Sequence, residues 1–319
     1  MSSFVQLVRN ENMKIYRRPR NWVMAAFIVF ALVAFTIIMS YTGGYSQDTS
    51  GNWKSEVEQT IANYKQALKE NGELNQNQRS FFEEQIKINE YRLEHNISPE
   101  KDTLWDTMNI QSSFLYLAIV FTIVVAADMI ASEFTWGTIK LLLIRPASRM
   151  KILLSKYTST LLYALFLTIV TMVTSFILGA IMSGFSSVSQ VDLYVGSDGF
   201  VHERSMIFVI LTSYAMSLVQ LLMYVTFAFM ISSAFRSASM AIALSLACMF
   251  IGNTITGIFS QYDWVKYILF ANINLNQYLT GTPLRPDMTM GFSIIVLAIY
   301  FIVFHIISWL LFTKRDVAA

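Results

Sequence analysis

Long runs of apolar residues separated by polar segments dominate the hydrophobic pattern of this 319-residue chain. A helix needs about 20 mostly apolar residues to cross roughly 30 Å of hydrocarbon, because it rises about 1.5 Å per residue. Backbone polar groups in lipid must be satisfied within their own segment, so we expect each such run to be helical. The pattern predicts an all-α polytopic membrane protein with six transmembrane helices. The six runs lie at 22–41, 111–131, 157–183, 206–231, 238–259 and 290–312.

The polar segment after the first span predicts a helical hairpin. Two helices are expected, over about 53–70 and 78–95, with a turn signal at 71–73 between them. Ser98-Pro99 is typical of an N-cap followed by a first helical position, and predicts that the next helix starts there. The apolar residues of the first helix recur at spacings of three and four, on one helical face: Trp53, Val57, Ile61, Tyr64 and Leu68.

Three further segments have patterns of their own. Two short extended runs, 191–195 and 200–203, flank a Gly-rich turn and predict a β-hairpin. Aromatic residues alternate with amides over 260–289, which favours an interfacial or re-entrant piece. The N-terminal stretch predicts an amphipathic helix on the inner leaflet, turned into the first span at Pro19, although Glu11 falls within its apolar stripe. A plain basic tail is the alternative there.

Composition and charge support this picture. The chain is 55% hydrophobic and 14% charged, with a mean hydropathy of +0.49, which excludes an ordinary soluble fold. A net charge of +2 gives no argument for a nucleic-acid partner. More than half of the 23 basic residues lie in the segments on the side of the membrane that holds both termini. Because basic residues prefer the cytoplasmic side, this predicts an N-in, C-in topology, and we expect a bacterial plasma membrane.

These features divide the chain into four parts. Residues 1–21 form a cytoplasmic interfacial helix and 22–41 the first span. Residues 42–110 form an extracellular helical hairpin insertion. The five-span remainder, 111–319, carries a cytoplasmic coupling segment at 132–149.

Several kinds of catalytic chemistry have no signature in the sequence. None of the 13 glycines precedes a lysine, so the chain has no phosphate-binding loop of its own. No His-Glu-x-x-His pair or Gly-x-Ser-x-Gly elbow occurs, and the single cysteine, Cys248, cannot form an internal disulfide. We therefore expect no enzymatic activity, no cofactor and no metal site in this chain.

Two ionisable residues within the spans are candidate intramembrane polar sites. Asp128 is costly in hydrocarbon and is by default a functional hypothesis. Its position near Glu133 and the cytoplasmic boundary equally fits pairing with a basic neighbour. His305 lies two to three turns inside the sixth span, where a hydrogen-bonded packing role competes with a functional one.

The loop between the second and third spans combines an acidic start, an apolar middle and a basic end. Glu133 is followed by Gly137-Thr138, an apolar run over 141–144 and the sequence Arg-Pro-Ala-Ser-Arg over 145–149. An exposed apolar turn flanked by charge on a cytoplasmic loop favours a docking partner. The alternative is a loop folded against the inner face of the membrane.

At these residues the chain resembles the permease subunits of type-2 ATP-binding-cassette (ABC) transporters, the exporter-like family with six spans per subunit. The likeness extends to the inner N-terminal helix, the six-span plan and the stretch 272–279 before the last span. The outer hairpin after the first span is a departure from the smallest members of that family.

The resemblance implies a division of labour. A separate cytoplasmic ABC-type ATPase would bind ATP and Mg, and a second permease chain, identical or related, would complete the path for export. Two other readings remain open: an ion-coupled secondary transporter using Asp128 and His305, and a membrane sensor or receptor whose outer hairpin binds a ligand. The residues implied in coupling to the ATPase are Glu133, Trp136, Gly137, Thr138, Lys140, Arg145, Pro146 and Arg149.

Overall fold

The computed structural model describes residues 3–42, 53–70, 76–99, 103–138, 147–185, 190–196 and 198–314. Residues 139–146 of the predicted coupling segment, which include Lys140, Arg145 and Pro146, lie outside these ranges, as does the turn predicted at 71–73.

Six helical segments of the described chain are long and apolar enough to cross a membrane, as the hydrophobic pattern predicts. The protein is therefore a multi-pass helical membrane protein. The segments are Pro19–Tyr41, Leu104–Thr135, Arg149–Ser183, Met206–Ala234, Ala238–Ile258 and Met290–Thr313.

An elbow joins the first two helices. Helix α1 spans Phe4–Tyr16, and α2 spans Pro19–Tyr41 with Pro19 as its first residue, where the missing N–H of proline leaves no bond unmade. The Asn21 side chain donates a hydrogen bond to the carbonyl of Ile15 at 2.7 Å. This bond satisfies a carbonyl in the last turn of α1 and holds α1 at the start of α2.

The two helices predicted after the first span are present. Helix α3 spans Trp53–Glu70 and α4 spans Gln76–Glu94. They pack together through a small apolar cluster around Val57, Ile61 and Ile86, as the helical spacing predicts. Their location outside the membrane stays a prediction.

The second span is built from more than one element. Helix α5 covers Leu104–Gln111, a 3₁₀ turn covers Ser112–Phe114, and α6 covers Leu115–Thr135. In its most apolar stretch 67% of the residues are buried, against 22–33% in the other five spans. This span is therefore the centre of the bundle.

The helix start predicted at Ser98-Pro99 is wrong. The N-cap of α5 is Thr103, whose hydroxyl accepts from the Asp106 backbone N–H at 3.1 Å. The Asp106 carboxylate accepts in turn from the Thr103 backbone N–H at 3.2 Å. This reciprocal pair satisfies two donors at the helix start, which Ser98 and Pro99 do not provide.

Helix α7, Arg149–Ser183, begins eight residues before the span predicted from 157. Ser148 caps it by accepting from the Lys151 backbone N–H at 3.3 Å. At its other end α7 lies close against α5. A Cβ at Gly179 would come 3.0 Å from the carbonyl oxygen of Leu104, so this close approach favours a glycine.

A β-hairpin follows, as predicted. Strand β1, Val191–Val195, pairs antiparallel with β2, Val201–Ser205, with Leu193 opposite Glu203. Helices α8, Met206–Ala234, and α9, Ala238–Ile258, come next.

The segment before the last helix consists of short helical turns. Its buried Asn272 amide donates to two backbone carbonyls of the same segment and accepts from Ser293 of the last helix, so the amides found in the sequence satisfy an irregular backbone. The elements are a 3₁₀ turn at Asp263–Tyr267, α10 at Leu269–Asn272, a 3₁₀ turn at Leu275–Tyr278 and α11 at Met290–Lys314.

The bundle has two distinct ends. One end carries α1, the C-terminus of α6 and the N-terminus of α7, and we call it the α1 end. At the opposite end, the hairpin end, α4 contacts the β-hairpin, where Lys87 Nζ donates to the carbonyl of Gly199 at 3.2 Å.

Candidate functional site

A buried lysine connects three elements at the α1 end. The Lys156 side chain of α7 is only 2% exposed. Its Nζ donates to Glu11 Oε2 of α1 and to Glu133 Oε1 of α6, both at 2.8 Å. A buried ammonium group is tolerated only when it is paired and hydrogen-bonded, and these two carboxylates meet that requirement.

A second lysine balances the charge. Lys14 Nζ lies 2.8 Å from Glu11 Oε1 and 3.4 Å from Glu133 Oε1. Two cations thus meet two carboxylates, and we call the four residues Glu11, Lys14, Glu133 and Lys156 the ionic cluster. Burial alone would raise the pKa of the Glu11 carboxyl, but the adjacent Lys156 and Lys14 ammonium groups outweigh it and hold the pKa below its ordinary value.

The ionic cluster is attached to the start of the predicted coupling segment. The Thr138 hydroxyl donates to Glu133 Oε2, and Gly137 between them has a φ of +70°. This left-handed conformation turns the chain back after α6 ends, and glycine adopts it without steric cost. Thr138 therefore stays close to the carboxylate.

Asp128 has two arginine partners. Its Oδ2 accepts from Nη1 of Arg18 and Nη2 of Arg20, which flank Pro19 at the start of α2. The carboxylate is buried, whereas both arginine side chains are partly exposed. The aspartate is thus compensated by charge and joins α6 to the elbow.

An aromatic residue packs against one of these two arginines. The Arg18 guanidinium lies 4.8 Å from the ring centroid of Trp136, a cation–π contact. Trp136 is the C-cap of α6, and 62% of it is exposed. A large, mostly exposed aromatic side chain therefore lies at the α1 end, within the predicted coupling segment.

The far end of the predicted coupling segment is bonded to the last helix. Arg149 Nη1 donates to the Thr313 carbonyl at 2.7 Å, which places a cation on the C-terminal end of α11. The two ends of the segment are thus bonded to different helices. Lys140, Arg145 and Pro146 lie between them, outside the described residues.

His305 has a separate environment. Its Nδ1 lies 2.9 Å from the Phe301 carbonyl, one turn earlier in α11, and its ring lies edge-on to that of Tyr157 with the centroids 4.8 Å apart. These contacts involve α7 and α11, whereas those of Asp128 involve α2. The structure thus gives the two candidate intramembrane residues different partners.

Sequence reasoning missed most of the charged residues that meet at this end. Glu11 gave the clearest signal, because an acid inside the apolar stripe of an amphipathic helix requires a buried partner. Lys156 gave none, since it could be counted with the other basic residues that flank the spans. The remaining partners are Lys14, Arg18 and Arg20.

Comparison with known proteins places the chain in a family. The model of a family described as "Protein of unknown function (DUF2705)" matches residues 76–318. The chain belongs to the DUF2705 family. This DUF2705 protein is 39% identical over 317 residues to the "Uncharacterized protein YhcI" of Bacillus subtilis (strain 168), covering 98% of this chain and 99% of the relative. It is 29% identical over 199 residues to the "Uncharacterized membrane protein YdbK" of the same organism, covering 61% of this chain and 76% of the relative.

The DUF2705 match covers one part of the candidate site. Asp128, Glu133 and Lys156 lie within the matched range, and their partners in α1 and at the start of α2 precede it. The similarity to YhcI extends over nearly the whole chain and so takes in both parts.

Proposed function

We propose that this protein is the permease subunit of an ABC exporter, driven by a separate cytoplasmic ATPase. In this proposal two permease chains form the membrane path, the α1 end faces the cytoplasm, and the hairpin end lies outside the cell. Six spans, the absence of a phosphate-binding loop and the resemblance of residues 132–149 to a coupling segment support it.

The observation that carries the proposal is the attachment of that segment to the bundle. Trp136 projects from the α1 end, Thr138 is bonded to Glu133, and Glu133 shares Lys156 with Glu11. A displacement imposed by an ATPase on the segment would therefore act on α1, α6 and α7 together, since tightly packed and paired elements move as units.

The compensation of Asp128 counts against the ion-driven alternative. A carrier that uses a carboxylate to bind ions has to present it to the transport path. Here Asp128 is neutralised by Arg18 and Arg20.

The first experiment tests partnership. The tagged full-length protein is purified in mild detergent from its own host, and co-purifying subunits are identified by mass spectrometry. We expect an ABC-type ATPase, and we expect its recovery to fall in Trp136→Ala. Trp264→Ala is the matched control, because this tryptophan is also exposed but lies in the segment before α11. Failure to recover any nucleotide-binding subunit with the wild-type chain would refute the proposal.

The second experiment tests coupling. In Glu133→Ala we expect the ATPase to remain bound while ATP-driven export is lost, because Thr138 loses its bond to Glu133 and the segment loses its link through Lys156 to α7 and α1. Unchanged export in this variant would remove the coupling role assigned to Glu133.

A further inference from the structure

A groove on the surface of the bundle lies between α8 and α11. It encloses about 460 Å³, within the range of small-molecule sites. One side comes from α8 and the other from α11, and the first turn after α10 adds Leu275 to the lining. Residues central to the lining are Met216, Val219, Met223, Ile294, Leu297 and Phe301.

The groove continues on the other side of α8. A second cavity of about 290 Å³ lies between α7 and α8, and Val219 and Leu222 line both. Helices α7 and α11 meet near the α1 end, where Tyr157 contacts His305. The two cavities thus adjoin on the surface of α8, on the hairpin-end side of that contact.

We propose that this groove binds one acyl chain of a bilayer phospholipid. Its two sides belong to spans, and among the described residues of the lining only Thr212 has a polar side chain, whose hydroxyl is already bonded to the Phe208 carbonyl at 2.7 Å. The lining therefore offers dispersion and apolar contacts but no hydrogen bond for a polar ligand. Three methionines add deformable surface that adapts to a flexible chain.

The dimensions of the groove fit an acyl chain. From Met290 to Phe301 the groove follows α11 for about 16 Å, which is roughly half the thickness of the hydrocarbon core. A chain from one leaflet fits this depth.

A polar pair lies beside the groove, at the level of Met216 on α8. The Asn276 amide donates to Ser217 Oγ at 3.0 Å, and both residues directly follow lining residues in the sequence. The Asn276 Oδ1 atom is buried without a partner in the described part of the chain. The pair therefore joins α8 to the segment before α11 beside the groove.

The test uses the full-length protein reconstituted in phosphatidylglycerol vesicles that contain phosphatidylethanolamine with a diazirine in one acyl chain. After irradiation, cross-linked peptides are mapped by mass spectrometry. We expect cross-links to concentrate on the groove faces of α8 and α11 relative to the exposed face of α9. Equal labelling of the groove and of α9 would overturn the proposal.

Variants separate a bound chain from general lipid contact. Ala215→Trp on α8 and Ala298→Trp on α11 fill the groove from opposite sides, and each should abolish its cross-links. Ala247→Trp, an exposed alanine on α9, should leave them unchanged. The two variants lie on different helices, so a folding defect in one leaves the other informative. Persistent groove cross-links in a folded groove variant would contradict the proposal. It would also be contradicted if a groove variant lost its association with a second copy of the chain but kept its cross-links. That result would show that the groove binds the second copy.

Discussion

Lys156 of α7 donates a hydrogen bond of 2.8 Å to Glu11 of α1, across 145 positions of sequence. The bond places a charged pair inside the bundle, where unpaired charge is strongly unfavourable. Because Glu133 shares the same ammonium group, the position of the N-terminal helix and the end of the central span depend on one side chain.

Removing the shared cation should destabilise the protein. In Lys156→Met, Glu11 and Glu133 keep only Lys14, and breaking a buried pair typically costs about 3–5 kcal/mol of unfolding free energy. The measurement is the unfolding free energy in detergent micelles by denaturant titration.

Lys65→Met is the matched control. Lys65 pairs with Glu90 at 2.7 Å, but both side chains are about half exposed, so the loss should stay below about 1 kcal/mol. Equal effects of the two substitutions would show that the ionic cluster contributes no more than a surface pair.

The pH dependence of stability should reveal how much the ionised Glu11 carboxylate stabilises the fold. Its pKa in the folded protein lies below the ordinary value of 4.5, so its contribution is complete above that pH and is lost as pH falls through the folded-state pKa. The melting temperature of the wild type should exceed that of Glu11→Gln at pH 7, and the difference should shrink as the pH falls below 4.5.

The control for this pH series is Glu58→Gln, since Glu58 is exposed on α3. Its melting temperature should follow that of the wild type at every pH. A gap between wild type and Glu11→Gln that widens on acidification would contradict the assigned direction of the pKa shift.

Local patterns predicted much of the fold. The six spans follow from the lengths of apolar runs, and the β-hairpin at 191–205 from extended runs around a glycine turn. The limits of the spans were less predictable. An apolar run in the sequence ends at the first charged residue, whereas a helix can continue past a charged residue that is paired. Helix α7 therefore starts at Arg149, before Lys156, and α5 extends the second span back to Leu104.

The candidate site was predictable only in part. Glu133, Trp136 and Thr138 are adjacent in sequence, so the resemblance to a coupling segment identified them together. The partners of Glu133 and Asp128 lie more than 100 positions away or on another helix, and no spacing rule brings them together. Their pairing follows from the packing of α1 and α2 on α6 and α7.

The conformation of Gly137 gives a graded test of coupling that rests on the proposed function. With φ at +70°, Ala is strained by about 1–2 kcal/mol, Asn tolerates the conformation, and Pro cannot adopt it. We expect ATP-driven export to decrease in the order Gly137→Asn, Gly137→Ala, Gly137→Pro.

Gly257→Ala is the control for that series. A Cβ at either Gly137 or Gly257 meets open space, but Gly257 lies within helix α9 without a positive φ. Its export should match the wild type. A loss of export in Gly257→Ala equal to that in Gly137→Ala would show that backbone conformation at Gly137 is not the cause.

Cysteine labelling tests the orientation of the bundle without any assumption about transport. The chain has one cysteine, so Cys248→Ser provides a background without thiols. Arg9 on α1 and Glu58 on α3 are exposed positions for single cysteines.

In intact cells a membrane-impermeant maleimide should label Glu58→Cys and should label Arg9→Cys only after the membrane is permeabilised. This follows from the basic residues around α1 and at the start of α2, which favour the cytoplasmic side. Labelling of Arg9→Cys alone in intact cells would invert the topology and place the ionic cluster outside, where no cytoplasmic ATPase reaches it.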